Sequence, residues 1–297
     1  MLPVVLALIA AWSWGLSAVL VRIGLQYTST WVGTFISLAA GLLVTVLLAL
    51  AFQREAVLDV SMRAVVLFGV IGILNFPMGR FFNYLALGRL GVARSTPILA
   101  SAPFFAVLIA VLFAGETLRP ATAAGIGFVL AGLYVTVTAP NHAEAGATPT
   151  AWNDRRALPG IAFAFSAAIA YGSSQVLTRY SVGSIAPPLV GAMIALFWGT
   201  LGFGLLSAPH LIRGRDTFRK GAIYFITGGI CSAAGVMLMF EALRRGQVVV
   251  VSPVLATNPL FTLVMASLLL RGVEHITARV VLGAVLVVCG VAALAIA

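Results

Sequence analysis

Residues 96–105 read TPILASAPFF, and residues 252–261 read SPVLATNPLF. Five of these ten positions are identical and four more exchange close relatives, with two prolines six residues apart in both copies. A membrane-like composition produces chance matches of Leu and Ala, but it does not place two prolines at one offset. Further out, AWSWGLSAVLVR (11–22) lies over AIAYGSSQVLTR (168–179) with six identities in twelve positions. Gly79 matches Gly235, Ala86-Leu87 matches Ala242-Leu243, and Glu116, Gly125 and Gly132 match Glu274, Gly283 and Gly290. The offset stays between 156 and 158 throughout, so the chain is one unit written twice.

Composition says what kind of unit it is. Apolar residues make up 61% of the 297 and charged residues 9%, against roughly 45–50% and about 25% in soluble domains. Mean hydropathy is +1.10. Such a chain cannot cover a soluble surface, and in lipid its backbone must satisfy itself as helices or a closed barrel. A helical span needs about 20 apolar residues. Ten runs qualify: 3–22, 31–52, 64–88, 92–114, 120–139, 157–178, 187–208, 220–243, 247–270 and 277–297. They do not alternate as barrel strands do. The first lacks a basic start and is as long as the others, so it is expected to be a span and not a cleaved leader. Five spans per copy is an odd number, so the second copy enters the membrane from the opposite side. The expected fold is an all-α membrane protein of ten transmembrane helices, arranged as two inverted five-helix repeats. These are 1–139 and 157–297, joined by a polar linker at 140–156, with a site near the midplane between them.

The charge balance is +10, from 18 Lys and Arg against 8 Asp and Glu. Lys220 is the sole lysine and the arginines flank apolar runs, a pattern of membrane flanks and not of a nucleic-acid surface. Cys231 and Cys289 lie within apolar runs and read as core residues, with no metal site or cofactor expected. His142, His210 and His275 fall in loops, as do Asp59, Asp154 and Asp216, and no HExxH, GxSxG or phosphate-binding glycine motif is present. A membrane enzyme would need an activated nucleophile or a metal inside the bundle, so the chain is expected not to be an enzyme.

Taken together, the aromatic-Gly pairs of the first span of each half (Trp14-Gly15, Tyr171-Gly172), the proline-bearing fourth spans and the acidic turns after them (Gly115-Glu116-Thr117, Val273-Glu274) have a known parallel. They resemble the drug/metabolite transporter superfamily, in particular the ten-helix EamA-type permeases, over essentially the whole chain and in both halves. The resemblance implies a transporter of small metabolites, often an exporter of amino acids or related compounds. It also implies a central cavity lined mainly by the first four helices of each half. One departure is Thr34-Phe35-Ile36 early in the second span, where many members carry Arg.

Polar groups inside a bilayer are functional candidates by default. Arg80, in FPMGRFFNY, lies well inside the third span, with Phe76, Asn83 and Tyr84 at helical spacing on one face. It either holds a substrate carboxylate or phosphate, or snorkels or pairs with a carbonyl. The sixth span carries the stripe Tyr171, Ser174, Gln175 and Thr178, and its counterpart carries Trp14, Ser17, Ala18 and Val21. Both the cavity wall and an interhelical seam suit such a stripe. Pro97, Pro103, Pro253 and Pro259 bend the fourth and ninth spans, either to shape the bundle or as hinges that expose Asn258 to substrate. Asn75-Phe76-Pro77 repeats the theme. Glu241, followed by Arg244 and Arg245, reads as a local surface pair, and Gly125, Gly132, Gly283 and Gly290 as close-packing positions.

The substrate cavity is therefore expected at Trp14, Ser17, Asn75, Phe76, Arg80, Asn83, Tyr84, Tyr171, Ser174, Gln175, Thr178 and Asn258, with kinks at Pro77, Pro97, Pro103, Pro253 and Pro259. The expected partners are a small-molecule substrate, an amino acid or other carboxylate first, and the lipid bilayer. The chain is expected to be a monomer or homodimer in the cytoplasmic membrane. An exporter or flippase of lipid-linked or drug-like molecules is the nearest rival, and an intramembrane enzyme or structural protein the rival from other classes. Without a buried carboxylate other than Glu241 near the rim, facilitated transport or exchange is expected over proton coupling. The loops after odd-numbered spans hold 11 Lys and Arg, and those after even-numbered spans 6. This count puts both termini outside. The resemblance implies both termini inside, and that topology is the one expected.

Overall fold

The computed structural model describes residues 2–102, 104–105, 109, 120–137, 157–213, 218–245, 251, 254–255, 257–270 and 277–296. The linker 140–156, Pro103, Pro253, Glu116 and Glu274 lie outside them. In chain order the helices are α1 (Leu2–Gly24), α2 (Thr30–Phe52), the short α3 (Arg54–Leu58), α4 (Met62–Ile73), a π-helical stretch (Leu74–Arg80), and α5 (Phe81–Leu99). The second part holds α6 (Pro120–Val137), α7 (Leu158–Ser181), α8 (Pro188–Arg213), α9 (Phe218–Arg245), α10 (Asn258–Leu269) and α11 (Ala278–Ile296). Among the described residues there is no strand.

Six stretches are long and apolar enough to cross a membrane: Leu2–Gly24, Thr30–Phe52, Met62–Val92, Leu158–Thr178, Pro188–His210 and Gly221–Arg245. Shorter apolar helices follow at Asn258–Leu269 and Ala278–Gly290. Their outward faces carry side chains such as Leu43, Leu47, Leu205 and Leu206, all more than half exposed, as a lipid-facing surface requires. Side-chain hydroxyls cap α2 and α4, where Ser29 and Ser61 accept from the Val32 and Ala64 amides at 3.4 and 3.2 Å.

Two features of the third span differ from the expectation of a proline bend followed by a loop. Around Pro77 the chain forms a π-helix from Leu74 to Arg80. The passage to the fourth span is made by Gly91 alone, at φ 75° and ψ 173°, with helix on both sides. That conformation is open essentially to glycine, and another residue costs about 1–3 kcal/mol there. Gly91→Ala is expected to lower the thermal unfolding midpoint of the purified protein. Gly88→Ala, whose new Cβ would meet only Leu25 at 3.8 Å, is expected not to.

The halves pack by exchanging the same contacts. Helix α1 lies along α9, and α7 along the α4–π–α5 run. A Cβ on Gly235 would overlap the Trp14 ring, and one on Gly79 the Tyr171 ring. A Cβ on Gly229 would overlap the Ser37 backbone, and one on Gly72 the Ala195 carbonyl. Each second contact is the first with the halves interchanged, the relation a two-fold axis imposes. Helices α6 and α11 meet each other in the same way: Gly132 packs on Gly283 and Val287, and Gly290 on Gly125 and Val129. In lipid, where apolar burial drives little, such close backbone approach supplies the packing attraction. The largest core cluster joins both halves, with Phe68, Ile71 and Phe76 against Leu196, Phe203 and Phe240.

Candidate functional site

A cavity of about 170 Å³ lies where the halves meet. Helix α1 contributes Trp14, Ser17 and Ala18; the π stretch and α5 contribute Asn75, Phe76, Arg80, Asn83, Tyr84, Thr96 and Leu99; α7 contributes Tyr171 and Gln175; and α9 contributes Ser232, Val236 and Met239. Ala100, Ala102, Leu255 and Asn258 complete the wall beside the breaks in the fourth and ninth spans. Helix α5 ends at Leu99 and turns through Ala100 and Ser101, and a turn at Thr257 precedes α10. Broken helices of this kind belong at carrier sites.

Arg80 is the cation of this wall. It is 3% exposed, and its guanidinium donates to the Ser232 hydroxyl at 2.8 Å and the Ser37 hydroxyl at 3.5 Å. Its Cζ sits 4.8 Å over the Phe76 ring. Ser37 in turn shares a 2.8 Å hydrogen bond with the Tyr84 hydroxyl. Guanidinium carries five donors, so among the described residues two hydroxyls leave it with unused N–H groups and no carboxylate partner. Among the described residues the carboxylate pairs formed are those of Glu241 with Arg244 and Arg245. Arg244 donates to Glu241 at 2.7 and 3.0 Å, which is the local pairing expected from the i+3 and i+4 spacing. No Asp, Glu or His lines the cavity among the described residues.

Ten of the twelve residues expected at the cavity line it; Ser174 and Thr178 do not. Both are buried, at 1% and 0% exposure, and the Thr178 hydroxyl donates to the Ser174 carbonyl at 2.8 Å. Of the sixth-span stripe, only the pair Tyr171 and Gln175, one turn apart, reaches the wall. The other two positions are buried away from the cavity, with the Thr178 hydroxyl bonded within its own helix. Asn258 lines the cavity but is also tied down, its side-chain amide donating to the Ala11 carbonyl at 3.1 Å. Pro97 lies inside α5, and the Thr96 hydroxyl donates to the Val92 carbonyl at 2.7 Å.

Sequence reasoning missed Ser37, Ser232, Val236 and Met239. The repeat held the signal for three of them. Ser232, Val236 and Met239 are the counterparts of Asn75, Arg80 and Asn83. Ala18 with Gln175, Leu99 with Leu255, and Ala102 with Asn258 are further pairs on the wall. The cavity thus straddles the pseudo-two-fold axis, with its charge on one side of it. One wall, of the third and sixth spans, carries Asn75, Arg80, Asn83, Tyr171 and Gln175. The facing wall, of the first and eighth spans, carries Trp14, Ser17, Ala18, Ser232, Val236 and Met239.

The family model described as the EamA-like transporter family matches residues 1–138 and again 158–296. The chain belongs to the EamA-like transporter family. This EamA-like protein is accordingly a multi-pass membrane transporter built in two repeats. Chains of known structure share its fold. One crystal structure, 20% identical, superposes over 98% of this chain and 94% of its own with a TM-score of 0.67. No curated protein sequence matches the chain. Among the described residues of this EamA-like transporter, no group of three or more His, Cys, Asp or Glu is placed to hold a metal ion.

Proposed function

We propose that the protein carries a small organic metabolite with a carboxylate group, an amino acid or another carboxylate, across the cytoplasmic membrane. It does so by alternating access through the cavity between two inverted repeats of five spans each, with both termini cytoplasmic. The observation that carries this reading is Arg80: a buried guanidinium, held by hydroxyls and without a carboxylate partner among the described residues, on the wall of the cavity. A charge in that position is costly in a membrane interior, and a substrate carboxylate would neutralise it with paired hydrogen bonds. The facing wall of Trp14, Val236 and Met239 suits an apolar or aromatic body.

Binding tests this directly. L-leucine and L-phenylalanine are expected to raise the thermal unfolding midpoint of the purified protein, whereas their amides, which lack the carboxylate, are expected not to. Equal shifts from acid and amide would overturn the assignment of a carboxylate site. The absence of Asp, Glu and His from the described cavity wall supports facilitated transport or exchange without proton coupling. Collapsing a pH gradient at constant substrate gradient is therefore expected to leave uptake into proteoliposomes unchanged, and loss of uptake would contradict it.

A further inference from the structure

The two halves differ at the third span. Before the π stretch the repeat runs at an offset of 157, with Phe68 over Phe225 and Gly72 over Gly229. After it the offset is 156, with Gly79 over Gly235 and Ala86 over Ala242. The first half therefore holds one extra residue between Gly72 and Gly79, and the π-helix at Leu74–Arg80 is where it is absorbed. At about 100° per residue, side chains four apart on an α-helix lie about 40° from each other and side chains five apart about 140°. Ser232 and Val236, four apart on the uninterrupted helix α9, both reach the cavity. Asn75 and Arg80 are five apart, yet both reach it as well. Only the wider π turn puts them on one face.

A π turn is a metastable way to hold an extra residue. If it relaxed to α-helical winding, everything beyond it would rotate by about 100°, carrying Arg80, Asn83 and Tyr84 off the wall. The next joint is Gly91, in its non-helical conformation. The stretch from Arg80 to Leu90 is thus bracketed by two breaks in helical geometry. The counterpart of Arg80–Arg89 lies within α9, which runs from Phe218 to Arg245 as one helix of 28 residues, and the counterparts of Leu90 and Gly91 lie outside the described residues. We propose that the jointed segment Arg80–Leu90 is the moving part of the carrier, turning the anion-binding guanidinium into and out of the cavity against the fixed wall of α9. The two inverted halves then contribute unequally to the transport cycle. This inference rests on the transport reading above.

Deleting Met78 removes the extra residue and gives the third span the residue count of α9. Asn75 and Arg80 then stand four apart and keep their faces without a π turn. The deletion is expected to leave L-phenylalanine or L-leucine affinity within about threefold while lowering turnover in proteoliposomes by about tenfold or more, because gating and not binding is impaired. Unchanged turnover would show the π turn to be passive. Affinity lost in step with turnover would reduce it to a positioning element. Either overturns the proposal, whereas a wild-type protein that binds but does not transport overturns the transport reading instead. Spin-label distances in the intact chain provide the second measurement, in a background of Cys231→Ser and Cys289→Ser. Adding L-phenylalanine is expected to shift the Gly88→Cys to Ile223→Cys distance and to leave Val66→Cys to Ile223→Cys in place. Both distances static, or both shifting together, would contradict a joint between α4 and α5.

Discussion

Arg80→Ala is expected to lower uptake of the carboxylate substrate by about 10–100-fold while leaving the protein folded. Hydrogen bonds to charged groups contribute about 1.5–3 kcal/mol, and every 1.4 kcal/mol corresponds to about tenfold in affinity. Stability should move the other way or not at all. Arg80 is buried with only hydroxyl partners and the Phe76 ring among the described residues, so removing it relieves an unpaired charge and breaks no ion pair there. A variant that unfolds at the wild-type temperature or above, yet fails to transport, separates function from folding. Arg80→Lys keeps the charge but loses the planar fork that grips a carboxylate with two parallel bonds. It should fall between wild type and alanine. Uptake and thermal unfolding of the three proteins check the ordering.

Gly72→Ala and Gly229→Ala are expected to be strongly damaging single-methyl changes, and to be similar in effect. A methyl at Gly72 would overlap the Ala195 carbonyl, and one at Gly229 the Ser37 carbonyl. Both obstacles are backbone, so no side-chain rotation clears them and two packed helices must part. Overpacking of this kind costs about 1–3 kcal/mol and sometimes more, which outweighs the roughly 1 kcal/mol that alanine gains over glycine in a helix. Gly127→Ala on α6 is the control, because a Cβ there meets nothing within 4 Å. It should be neutral or stabilising. Since Gly72 and Gly229 exchange places under the two-fold relation, unequal losses would count against a symmetric seam between halves.

The duplicated sequence made much of this legible. The prolines of 96–105 and 252–261 exposed the repeat, and the composition placed its helices in lipid. Asn75, Arg80 and Asn83 were visible as polar side chains where apolar ones are expected. Their counterparts Ser232, Val236 and Met239 were not, because small or apolar residues in an apolar helix carry no mark of their own. Their signal lay in alignment with the other half. Ser174 and Thr178 were polar in the same way as Gln175, and only the packing of α7 separates wall from seam. The π turn was written in the sequence as a one-residue change of offset between Gly72 and Gly79. Pro77 masked it, since a proline bend accounts for the local pattern equally well. Gly91 was hidden differently: a single residue joining two helices looks like a short loop until its φ of 75° is known.

If the cavity between the two repeats passes carboxylate-bearing solutes across the membrane, Arg80 is their anchor. Counterflow into proteoliposomes containing the purified wild-type protein or Arg80→Ala, with labelled L-leucine or L-phenylalanine outside and excess unlabelled compound inside, tests it most directly. Saturable counterflow of the acid is expected from the wild type, none of the corresponding amide, and little from Arg80→Ala. Counterflow undiminished in Arg80→Ala, or equal for acid and amide, would contradict it.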